Sequence, residues 1–146
     1  MKACLPWIKV FLMGYVSTLF AHQGLLALMH AQGWVPNAAY SLAPTSPFGI
    51  PAVVSLAFFG GLWALPMWAL LQHQPGARRF AGALLFGAVF PTAVALLVVF
   101  PLKGLPVAPI SWVIGGLLNG AWGLGVAVLM WLFNTGPDAA SDVSSG

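Results

Sequence analysis

The chain has 146 residues, 60% of them hydrophobic and 5% charged, with a formal net charge of +3. A soluble domain carries about 25% charged residues, so this composition excludes one and describes a one-domain, all-α integral membrane protein. The few Lys and Arg residues speak to topology, and nucleic acid is not an expected partner. One cysteine, Cys4, excludes an intramolecular disulfide and reads as a small apolar residue.

Met1 to Lys9 is a short basic leader, and an apolar run follows from Val10 to Met29. A signal peptide cut after Ala21 is set aside, because Leu19 is too large for a small-x-small site. The run continues through Gly24 to Met29 and makes a full span, about residues 8–30. Gln32 to Pro51 holds four prolines and no charge, and reads as a loop on the membrane surface or over the bundle mouth. Further spans are expected at about 51–72, 80–100 and 110–133, with a polar turn at His73–Arg79 and a Pro-rich loop at Pro101–Pro109. Residues 134–146 read as a disordered tail.

Lys2, Lys9, Arg78 and Arg79 fall on one side of a four-span bundle and Lys103 on the other. This bias places both termini and the middle turn in the cytoplasm. Trp7, Trp68 and Trp131 then lie near the cytoplasmic interface, and Trp34 and Trp112 near the outer one.

The fourth span holds Gly115–Gly125, a stretch with five glycines. Glycine weakens a helix unless another helix must approach closely, so Gly116, Gly120 and Gly123 read as packing positions. Ala57, Gly60 and Gly61 form the matching stripe on the second span. A shift of 59 residues lays Ala57 on Gly116, Gly60 on Asn119, Gly61 on Gly120 and Trp63 on Trp122. Spans one and three align more weakly, with Gly14 on Gly82. The chain therefore reads as two tandem helical hairpins with a pseudo-two-fold axis along the membrane normal.

Counted from the span ends on the Lys103 side, His22, Gly60, the Pro91–Thr92 pair and Asn119 lie about 12–15 Å deep. With Gln23 they form a candidate polar layer. Gly14, Thr18 and His22 fall on one face. A buried polar residue in lipid must be paired, so either His22 and Asn119 bond one another, or nearby carbonyls, and lock the bundle, or the layer serves a ligand or solute.

The only carboxylates are Asp138 and Asp142, in the tail. Paired-carboxylate catalysis, a Ser–His–Asp triad, an Asp/Glu/Cys metal site and ion coupling through a buried acid are not available to the spans. His22 and His30 share one helix about 12 Å apart, so a bis-histidine haem would need a homodimer. No enzymatic activity, cofactor or metal is expected. The leading expectation is an accessory, scaffolding or assembly subunit, as a homo-oligomer or in a larger membrane complex. A small-solute channel or carrier comes second, and a haem- or quinone-binding redox module third.

The segments Phe20–Gly24, Pro47–Pro51, Phe58–Trp63, Pro101–Gly104 and Asn119–Gly125 resemble those of a group of small, uncharacterised bacterial inner-membrane proteins. The likeness covers nearly the whole chain except the tail. It implies a four-span protein and no catalytic residue.

Overall fold

The computed structural model describes residues 5–133. Cys4, Lys2 and the tail from Asn134 lie outside them. Four helices are long and apolar enough to cross a membrane: α1 (Leu5–Ala31), α2 (Ala52–Leu71), α3 (Gly76–Leu102) and α4 (Pro109–Leu132). In the most apolar 18-residue stretch of each span no more than 39% of the residues are buried, and large apolar side chains cover the outside of every helix. That surface is what lipid requires and water forbids.

Proline and glycine set the helix ends. Pro51 and Pro75 immediately precede α2 and α3, and Pro109 opens α4. The third helix therefore starts at Gly76, four residues before the expected Phe80, and Arg78 and Arg79 sit in its first turn. Arg79 reaches back across that turn. Its Nε donates to Gln74 O and its Nη2 to Gln72 O, both at 3.1 Å, and its guanidinium lies 5.4 Å from the Trp68 ring. A cation at the carboxyl end of α2 also meets the negative end of its dipole.

Two helices end in the same way. After α1, Gly33 (φ +74°) donates to His30 O and Trp34 N–H reaches Met29 O. After α3, Gly104 (φ +67°) donates to Pro101 O and Leu105 N–H reaches Phe100 O. Both are left-handed glycine stops that recover the last carbonyls of the helix.

α1 packs along α2 and α3 along α4, while α1 meets α4 across the centre. The main core lies toward the Arg78–Arg79 end and is built from Val10, Ala64, Met67, Ala83, Trp122 and Val126, among others. At the other end a smaller cluster joins Met29, Val35 and Leu118.

The loop after α1 is ordered. Strands β1 (Pro44–Thr45) and β2 (Ile50–Pro51) pair antiparallel, with Pro44 opposite Pro51 and Thr45 opposite Ile50. Both α1 and α3 contain a widened π turn, at Thr18–His22 and Ala95–Val99. In α1 the Gln23 N–H reaches Thr18 O, five residues back. The π turn rotates the rest of α1 about the helix axis. Gly14 and Thr18 are buried while His22 is only partly so, and the three residues do not form the single stripe that plain helical spacing suggests.

Candidate functional site: two polar clusters

The expected polar layer is two separate clusters. In the first, Asn119 Nδ2 donates to Thr92 Oγ1 at 3.0 Å, joining α4 to α3. In the second, the Tyr40 N–H donates to Gln23 Oε1 at 2.7 Å, and Gln23 Nε2 lies 3.3 Å from His22 Nδ1. His22 and Asn119 do not bond one another, so the expected lock between them is absent. Equal depth fails because α2 is short. Gly60 meets Gly14 and Thr18, one to two turns away from His22, and His22 lies instead at the level where α2 begins.

The second cluster fixes the chemistry of His22. Tyr40 offers an N–H, so the Gln23 oxygen must face it and the Gln23 NH₂ must face the imidazole. His22 Nδ1 is then an acceptor, and the neutral ring carries its proton on Nε2. Tyr40, at φ +58°, also sends its hydroxyl to Leu19 O at 2.8 Å, inside the π turn. Gln23, Asn37, Ser41, Val53 and Leu56 line an adjoining cleft of about 130 Å³. Among the described residues, no three of His, Cys, Asp and Glu come together as metal ligands would.

The polar contact that joins the two helix pairs lies elsewhere. Ser17 Oγ donates to Trp122 O at 2.7 Å, and Trp122 Nε1 donates to Gly14 O at 3.1 Å. Thr18 Oγ1 donates to the same Gly14 carbonyl at 3.0 Å. All four residues are buried. Sequence reasoning passed over Ser17 and used Trp122 only as a repeat marker. The signal was present: a tryptophan at mid-span, away from both interface belts, carries an indole N–H that must find an acceptor.

Close backbone approach decides the glycines. A Cβ on Gly87 would strike Asn119 O, and one on Gly123 would strike Ala83 O. One on Gly60 would strike Thr18 Oγ1. A Cβ on Gly61 would come within 2.6 Å of the Phe11 ring, and one on Gly120 within 3.1 Å of Leu84. Ala57 is fully buried. Gly116 is not a close contact, since the nearest neighbour of a Cβ there would be Ala88 O at 3.8 Å. The residues of α4 that meet α3 are Gly115, Asn119, Gly120 and Gly123, so Gly115 takes the place of Gly116 in the expected stripe. Gly82 packs on Leu71, and Gly14 on Gly60, Gly61 and Ala64.

No protein-family model, no curated protein and no solved structure matches the chain.

These bonds predict how mutations combine. Thr92→Ala and Asn119→Ala should be coupled by about 0.6 kcal/mol, the average for hydrogen bonds between membrane helices. His22→Ala and Asn119→Ala share no partner and should add within about 0.5 kcal/mol. Unfolding in bicelles of both double-mutant cycles checks this. Strong coupling of His22 to Asn119 would restore the single layer.

Proposed function

We propose that the protein is a non-enzymatic subunit of a bacterial inner membrane, acting in scaffolding or assembly of a larger complex. The observation that carries this reading is how its buried polar groups are used. Ser17, Trp122, Thr92 and Asn119 are spent on helix-to-helix bonds, which leaves them little to offer a solute or a reaction. The broad apolar exterior suits contact with lipid and with other membrane proteins. Detergent extraction and affinity purification from native membranes test it. A stoichiometric membrane partner is expected, and a lone chain that conducts a solute in liposomes would favour a channel.

The chain also reads as a duplicated pair of hairpins about a pseudo-two-fold axis. Gly14 faces Gly60 O and Ala64, while Gly87 faces Asn119 O and Gly123. The shift of 59 residues turns Gly60 into Asn119 and Ala64 into Gly123, so the two contacts correspond. The matching glycine stops at Gly33 and Gly104 support the same pairing. The Lys and Arg bias puts the Arg78–Arg79 turn and both termini in the cytoplasm. Reporter fusions at the C-terminus and after Gln74 should report cytoplasm, and fusions after Gly33 and Gly104 the opposite side. A C-terminal fusion reporting the outer side would overturn this topology.

A further inference from the structure

Tyr40 belongs to a loop, yet it enters the hydrogen-bond ladder of a helix. In a regular α-helix the Gln23 N–H would bond Leu19 O. In α1 it reaches Thr18 O, one residue earlier, and the Tyr40 hydroxyl donates to Leu19 O at 2.8 Å. A bare carbonyl in a membrane-spanning helix is costly, so this bond matters to the widened turn. The Tyr40 N–H also donates to Gln23 Oε1 at 2.7 Å, and one residue grips both sides of the turn. Its backbone stands at φ +58°, a left-handed conformation that costs a tyrosine free energy and lasts only while its surroundings enforce it.

The two parts of α1 are fastened differently. Before the turn, Gly14, Ser17 and Thr18 are held to α2 and α4 by close packing and by the bonds at Trp122. After it, Leu25, Leu26 and Met29 meet Leu118 and Ile114 of α4 through apolar contacts. A π turn takes up one extra residue. Its collapse turns the helix that follows by about 100° and returns Leu19 O to a partner within the helix.

We infer that Tyr40 is a latch on α1: its hydroxyl holds the π turn, and its withdrawal lets the part of the helix beyond the turn rotate into regular α-helix. Opposed effects make this a two-state element. Withdrawal relaxes the left-handed Tyr40 backbone, while retention keeps the Gln23 bond and the contacts of Met29 with Leu118. A movement of the loop is thereby converted into a rotation of His22 and Gln23. The latch is independent of any scaffolding role.

Two readouts test it. Spin labels at Leu28→Cys and Val113→Cys follow α1 beyond the turn, and labels at Leu12→Cys and Leu124→Cys follow it before the turn, each pair at exposed positions of a Cys4→Ala chain in bicelles. A side chain about 5 Å from the helix axis swings by about 8 Å in such a rotation. Tyr40→Phe should therefore shift or split the Leu28–Val113 distance distribution and leave Leu12–Leu124 unchanged. The second readout removes the extra residue. Deletion of Phe20, which is 75% exposed within the turn, makes α1 regular and keeps the facing of Gln23 and Met29. Tyr40→Phe should lower the thermal midpoint by several degrees in the full chain and leave it unchanged in the deleted one. Should Tyr40→Phe alone prevent folding, the deletion should restore it. An unshifted Leu28–Val113 distance in Tyr40→Phe, or an equal loss of midpoint with and without Phe20, overturns the latch.

Discussion

Gly87→Leu is expected to stop α3 from assembling on α4. Even the first added carbon falls on Asn119 O, which is backbone and cannot swing aside. Gly87→Ala should therefore cost about 1–3 kcal/mol, and leucine more, through forced separation of the two helices. Gly24→Ala is the contrasting case. Gly24 is helical and a Cβ there meets nothing within 4 Å. Alanine should leave the stability unchanged or raise it by about 0.5–1 kcal/mol, through helix propensity. Gly61→Leu and Gly120→Leu fall between, because Phe11 and Leu84 are side chains that can move. Unfolding midpoints in bicelles rank the series. Equal midpoints for Gly87→Ala and Gly24→Ala would remove the close crossing of α3 and α4.

Trp122→Ala should be similarly damaging, at about 3–5 kcal/mol. The side chain is 2% exposed and fills the core between the helix pairs. Its loss also takes the indole donor from Gly14 O, although Thr18 still serves that carbonyl. Trp122→Phe keeps most of the packing and should lose far less. Trp131→Ala, at a position 63% exposed, is the control for removing an indole from the membrane surface. A loss at Trp122 no greater than at Trp131 would show that the central seam contributes little.

The four spans were legible because nothing but lipid explains so many apolar residues with so few charges. The glycine-rich faces were legible too, but their exact stripe was not. The choice between Gly115 and Gly116 turns on a helix rotation that the sequence leaves open, and Asn119, Gly120 and Gly123 serve either setting. The polar layer was misread for two physical reasons. Equal depth was inferred from span ends, whereas α2 begins only eight residues before its crossing at Gly60, nearer that level than the corresponding ends of the other spans. The π turn at Thr18–His22 then rotates His22 relative to Gly14, and no residue type marks such a turn. The fold of the loop rests on Tyr40 in a left-handed conformation and on its bonds to α1, distant in sequence. Local propensity does not carry that information.

The seam between α1 and α4 also orders assembly in time. Ser17 and Trp122 are 105 residues apart, and Gly14 and Trp122 are 108 apart. During synthesis α1 enters the membrane long before Trp122 exists. The Gly14 carbonyl does not wait unaccompanied, because the Thr18 hydroxyl of its own helix already bonds it. Serine in a helix can likewise turn its hydroxyl back onto the preceding turn, giving Ser17 a local partner until the seam forms. Pairing of α1 with α2, and of α3 with α4, closes short loops and comes early. The joining of the two pairs closes nearly the whole chain, so it falls to the last helix made.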